Sequence, residues 1–141
     1  MIPSQRPLGT SIPPSSATEA WSPSSDVAIS QAISKWKLDQ VGWRGFESLP
    51  WVTALHEKYP DVKQIASTCS SRNERYRDEV TTLVAHIDRR DFGDVKSYFV
   101  GKLALEELSC RRSGAGAGMC DKRTAFMSIF EMLKQGPPAA T

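Results

Sequence analysis

Apolar residues recur at helical intervals from about residue 26 to residue 134, and no stretch shows the convincing alternation of a half-buried strand. Ile29, Ala32, Ile33 and Trp36 share one face and predict a helix over 26–38. Ser24 or Ser25 can cap it, and the charge of Asp26 suits the positive end of the helix dipole. Asp39, Gln40, Val41 and Gly42 read as a break, with Gly42 available for a left-handed backbone. A second helix is expected over 45–57, with Phe46, Leu49 and Val52 or Trp51 inward. Pro50 is awkward in its middle and offers a later start there, because proline suits a first helical turn. Tyr59-Pro60 ends it, and 61–70 follows as a helix with Val62, Ile65, Ala66 and Cys69 on one face.

The stretch 71–107 dominates the pattern. Tyr76, Val80, Leu83, Val84 and Ile87 line one helix face. After a break at Asp91-Phe92-Gly93, Val95, Phe99 and Leu103 begin another, while Tyr98, Leu105 and Leu108 are apolar on a different side. A helix that is apolar on more than one side must be covered on more than one side. In so short a chain that points towards neighbouring subunits. The Gly/Ala-rich stretch 113–118 reads as a loop, and 125–134 as a last helix through Phe126, Ile129, Phe130 and Leu133. Gly136, Pro137 and Pro138 stop it. The expected fold is all-α.

At 141 residues the chain is one domain by size. Residues 1–25 hold five prolines and seven serines and almost no aliphatic periodicity, so this arm cannot offset its ordering entropy by burying itself. Trp21, a large apolar group in a polar tract, is expected to dock somewhere. The division is an arm over 1–25, a helical domain over 26–135 and a tail over 136–141. No apolar h-region marks a secretory signal, and no apolar run approaches the roughly 20 residues of a membrane helix. Three cysteines, Cys69, Cys110 and Cys120, are odd in number and widely spaced, which predicts free thiols in a reducing, intracellular setting.

The formal charge is +2, and residues 1–69 are balanced at six of each sign. The excess therefore lies from residue 70 onward, with eight of the ten arginines. They gather as Arg72, Arg75 and Arg77 and as Arg89 and Arg90, among Glu74, Asp78, Asp88, Asp91 and Asp94. Guanidinium groups suit phosphate or carboxylate ligands; equally, charges at i, i+4 pair on an ordinary solvated helix. His56 and His86 are the only histidines, and with the scattered cysteines they form no compact ligand pair, so no metal site and no cofactor are expected. The Gly-rich loop lacks the Lys-Ser/Thr of a P-loop and follows no strand. Nothing in the sequence favours a Cys–His nucleophile pair. The chain is not expected to be an enzyme.

The order of features resembles the coat proteins of rod-shaped plant viruses, the tobacco mosaic virus family. Pro3-Ser4-Gln5 and Ala20-Trp21 look like that family's N-terminal arm. Phe46-Glu47 with Trp51, and Tyr59-Pro60-Asp61, are similar to segments bracketing its second helix. Ser71-Arg72-Asn73, running on to Glu79-Val80, resembles its arginine-bearing segment, and Arg89-Arg90 with Asp91 and Asp94 resembles the opening of its long fourth helix. Arg123 and Phe126 match its Arg-x-x-Phe motif, and the tail from Gly136-Pro137 to Ala140-Thr141 is also similar. Departures are Met127 after Phe126, a helix-like run over 126–133, and a shortened loop before the fourth helix.

The resemblance implies a four-helix-bundle subunit with an extended N-terminal arm and a short C-terminal helix or tail. Such subunits stack into a helical homo-oligomer around single-stranded RNA, in the virion and, during assembly, in the host cytoplasm. It implies Arg72, Arg75, Arg89 and Arg90 as phosphate ligands, with Asp94 bonding sugar or orienting an arginine. Trp21, Phe46, Trp51 and Phe126 then belong to subunit contacts, with Trp36 and Trp43 beside them; the same aromatics suit an isolated core equally. Arg123 reads as a core or interface salt bridge holding the fourth helix. Glu79, and more loosely Glu47 and Glu106, are candidates for facing carboxylates that control assembly; Glu79 could equally pair with Arg75. A different class also fits the Ser/Pro-rich arm: a helical adaptor such as a secreted bacterial effector. A DNA-binding regulator is a weaker third reading, since no helix-turn-helix spacing stands out.

Overall fold

A computed structural model describes residues 25–114 and 120–136. The arm through residue 24 with Trp21, the glycines of 115–119 and the tail from residue 137 lie outside the described residues. The fold is all-α, with no strand among the described residues. In order it runs α1 (Ser25–Trp36), α2 (Leu38–Glu47), α3 (Pro50–Lys58), α4 (Pro60–Thr68), α5 (Arg75–His86), a short 3₁₀ turn (Arg89–Asp91), α6 (Phe92–Ser113) and α7 (Asp121–Leu133).

The long α6 lies at the centre, with α1, α2, α3, α4 and α7 packed against it. Its apolar residues on different sides meet different partners. Phe99 faces Phe126 of α7, ring centroids 6.3 Å apart, and Tyr98 stacks on Phe46 of α2 at 5.9 Å. Val95, Tyr98, Phe99, Leu103 and Ala104 are all at 0% exposure. The chain therefore covers these positions of α6 itself, while Leu105 and Leu108 on the other side are half-buried. A row of short helices gives a 141-residue chain more covering surface than its apolar periodicity suggests.

Several boundaries differ from the sequence expectation, each through a specific contact. The first break falls at Lys37, in a left-handed conformation (φ 52°), because turning there buries Leu38. Gly42 does take a positive φ of 66°, as a kink within α2 rather than as its start. Of the two expected starts for the next helix, the one at Pro50 is observed. The α5–α6 break comes earlier than residue 91. The Asp88 carboxylate accepts the Arg90 backbone N–H (3.2 Å), while the buried Tyr59 hydroxyl accepts from Asp88 N (3.1 Å) and donates to Asp91 (2.7 Å). The last helix begins at Asp121, not Ala125, because its first turn docks on the end of α4. Asp121 accepts from the hydroxyls of Ser70 and Ser71, and Lys122 Nζ donates to the carbonyls of Ala66 (3.0 Å) and Ser67 (2.9 Å).

The cysteines correct another expectation. Cys110 and Cys120 are disulfide-bonded, since the α6–α7 turn brings their Cα atoms to 6.3 Å. Separation in sequence hid this proximity. Only Cys69 is a free thiol, and it is buried.

Candidate functional site

The turn before α5 is built by polar side chains. Ser70 Oγ accepts from Arg72 N (3.2 Å) and Asn73 Oδ1 accepts from Arg75 N (3.1 Å), which leaves both arginine side chains outside the turn. Arg72, Arg75, Arg77 and Arg89 are exposed, and among the described residues no carboxylate lies within ion-pairing distance of them. The ordinary i, i+4 pairing that their spacing allows is thus not made. Arg90 is the exception, with Nε 2.9 Å from Asp88. Asp94 is exposed in the first turn of α6; its neighbour Asp91 is the engaged carboxylate, bonded to Lys58 at 2.7 Å. The Lys58 and Tyr59 hydrogen bonds hold Asp91 below the usual carboxylate range.

The two arginine groups are not brought together. Arg72 precedes α5 and Arg75 and Arg77 lie in its first turn, whereas Arg89 and Arg90 follow its far end, and the twelve residues of the helix extend about 18 Å at the usual rise. Beside this helix runs a cleft of about 370 Å³, walled by Asp61, Asp78 and Glu79 with Arg75 at its edge. Glu79 and Arg75 share that cleft without forming an ion pair. Of the other switch candidates, Glu47 is taken by Lys102 at 2.8 Å, and Glu106 is half-buried.

Of the expected interface aromatics among the described residues, Phe46 and Phe126 turn inward and Trp51 is half-buried. Phe46 and Phe126 are enclosed in the core, so neither presents a surface to a neighbour. Trp36 and Trp51 pack on Phe46 with centroids 5.6 and 5.9 Å away, as an intramolecular cluster. Trp43 alone of the described tryptophans stays out, at 56% exposure. Arg123 bridges α7 to Glu107 of α6, and Arg111 reaches the same carboxylate at 2.9 Å.

Arg123, with help from Arg111, holds the Glu107 carboxyl below its ordinary range, against the opposing effect of burial. A carboxyl depressed in the folded state adds stability above its unfolded pKa, and that stability is lost as pH falls through the folded one. Thermal melts should therefore fall as pH drops below about 5. Glu107→Gln should melt lower at neutral pH and show a flatter acid limb; an unchanged limb would show that this carboxylate does not couple to folding.

Two enclosed polar atoms are not foreshadowed by helical spacing. His56 Nε2 and the Tyr98 hydroxyl are buried without a hydrogen-bond partner, their rings 5.1 Å apart. Burial lowers the pKa of His56 and raises that of Tyr98. Burial also pushes the Cys69 thiol up to about 11, so it stays protonated and unreactive near neutral pH. No group of three or more His, Cys, Asp or Glu side chains suited to a metal occurs among the described residues, nor does any helix long and apolar enough to cross a membrane. No protein-family model matches the sequence, and no curated protein and no solved structure matches it.

Proposed function

We propose that the chain is a structural RNA-binding protein, a coat subunit that self-assembles helically around single-stranded RNA. The observation that carries this reading is the exposure of Arg72, Arg75 and Arg89 without carboxylate partners, in a chain whose charge is otherwise near balance. Guanidinium groups left free in this way are suited to charge-assisted bonds with phosphate. The span of α5 means that the two groups take different phosphates of one strand, with Arg90 released from Asp88 on binding and Asp94 beside the sugar. Such contacts position RNA but carry no base information, so binding is largely indifferent to sequence. In this reading the subunit is a four-helix bundle whose fourth, long helix is α6, with α7 as the short C-terminal helix. Glu79 is the carboxylate best placed to face a like group across a subunit contact, because Glu47 is already neutralised by Lys102. Two facing carboxylates raise one another's pKa, so assembly of this kind takes up protons and loosens as pH rises.

In the double variant Arg89→Ala/Arg90→Ala, RNA content of assembled particles should fall, with unrelated RNAs affected alike and the remaining binding strongly salt-dependent. Unchanged RNA content would overturn the assignment. A second reading, a helical adaptor, is favoured by one observation: Val95, Tyr98, Phe99 and Leu103 of α6 are fully buried within the chain, so these positions do not require neighbours to cover them. Sedimentation separates the two. Rods or discs between about pH 5 and about pH 8 support the coat reading, and a monomer throughout with no nucleic acid supports the adaptor.

A further inference from the structure

We infer that the seam between α2 and the C-terminal half of α6 is a stacking site for single-stranded nucleic acid, with Trp43 as platform and Arg112 as phosphate ligand. The inference rests on the RNA-binding reading but places contacts on a face that reading does not use.

The Gly42 kink (φ 66°, ψ −172°) separates Trp43 from the aromatic cluster formed by Trp36, Phe46 and Trp51. Lys102 Nζ lies 5.8 Å from the Trp43 ring centroid and is tied to Glu47 at 2.8 Å. A single exposed tryptophan is unremarkable on a protein surface; the surroundings of this one are not. It lines a cleft of about 480 Å³ with Lys102, Leu105, Glu106, Ser109 and Arg112. Arg112 is exposed, and no carboxylate among the described residues pairs with it. The cleft shares Arg112 with a depression of about 350 Å³ that also holds Leu108 and Arg111. That depression shares Asp39 and Arg111 with a third, of about 510 Å³, which reaches Lys37. Along these three depressions Lys102 and Arg111 are held by Glu47 and Glu107, which leaves Lys37 and Arg112 as the cations without a carboxylate partner among the described residues, beside Asp39 and Glu106. The negative end of the α6 dipole opposes an anion here, and Arg111 and Arg112 in its last turn offset it.

An aromatic platform beside an unpaired arginine can hold a single strand without regard to sequence, because every base has a face to stack and the guanidinium takes the phosphate. The α5 surface carries arginines but has an acid-walled cleft beside it and no exposed aromatic among its cleft residues. Phosphates can be held at either place; only the α2–α6 seam also offers a stacking partner for a base.

The test titrates the full chain with an oligouridylate of about twelve nucleotides, long enough for a site of this kind, and with inorganic polyphosphate. Tryptophan fluorescence should quench with the RNA, and much less with polyphosphate. Trp43→Ala should weaken RNA binding about tenfold and remove most of the quench, while Trp43→Phe keeps much of the affinity. Arg112→Ala should weaken binding and reduce its salt dependence by about one phosphate. Polyphosphate binding should be indifferent to Trp43. Unchanged RNA affinity in Trp43→Ala overturns the inference. If affinity is then lost in Arg89→Ala/Arg90→Ala, the RNA-binding reading survives without this site; if no variant or parent binds RNA, both fall. Loss of self-association in Trp43→Ala with RNA binding intact makes Trp43 a contact between copies, and that too overturns it.

Discussion

Gly101→Ala should destabilise the protein by about 2 kcal/mol, although alanine in a helix interior ordinarily stabilises by about 1 kcal/mol relative to glycine. A Cβ built at Gly101 would stand 2.4 Å from Cζ and 2.5 Å from Cε1 of Phe46. A ring tip with room behind it would simply move. This one has none: Phe46 is at 0% exposure, between Trp36, Trp51 and Tyr98, with all three ring centroids within 5.9 Å. Either α2 lifts from α6 or the aromatic cluster repacks, and each forfeits close contacts. Phe46→Ala should cost more, about 3–5 kcal/mol, as the cavity left by a buried ring. The pair should not be additive. In Phe46→Leu the shorter side chain leaves space for the new methyl, so Gly101→Ala should cost less there than in the parent, a coupling that denaturant melts of the four proteins would measure. Equal costs in both backgrounds would mean that the contact does not govern how α2 sits on α6.

Reducing the Cys110–Cys120 bond should lower the melting temperature by about 10 °C, from about 3 kcal/mol of lost constraint on the unfolded chain. The bond spans ten positions between the end of α6 and the start of α7, two helices whose contact buries Phe99, Phe126, Ile129 and Phe130. Without it the unfolded chain explores more conformations, while the folded hairpin keeps its apolar packing, so the protein should stay folded but less stable. Thiol labelling checks the premise directly. The native protein should label little, because the one free thiol is buried. The unfolded, unreduced protein should label once, and the reduced one three times. Three labels without reductant would show that the bond does not form. The double variant Cys110→Ser/Cys120→Ser should match the reduced protein in its melt.

Helical periodicity made the helices and their inward faces readable; contacts across the chain made their ends unreadable. Val62, Ile65, Ala66 and Cys69 are buried together as their spacing predicts, and so are Phe126, Ile129, Phe130 and Leu133. The start of α7, by contrast, depends on Lys122 reaching the carbonyls of α4, and the end of α5 on Tyr59 bonding Asp88, partners 55 and 29 residues apart. Gly101 reads in sequence as a weak point in a helix; only the fold shows a ring lying against it. The same limit applied to function. Spacing allows the arginines either to pair with neighbouring acids or to stand free, and only side-chain geometry shows that Arg72, Arg75 and Arg77 have no carboxylate partner among the described residues. Spacing also placed Arg72 and Arg89 in one prominent stretch, but could not show that α5 holds them apart. Trp43 lies in sequence between Trp36 and Trp51, which pack half-buried on Phe46, and only the kink at Gly42 sets it apart from them.

The position of α7 has a consequence for how the chain matures on the ribosome. Domains complete their folding only when the elements that pack together have all been made. Here α1 through α6 emerge first, with Phe99 and the rest of the surface that α7 covers still facing water. Five inward residues of α7, from Ala125 to Leu133, close that surface at once. A nascent chain that stalls or is cut before Asp121 leaves uncovered the apolar stripe that Ala125, Phe126, Ile129, Phe130 and Leu133 otherwise close.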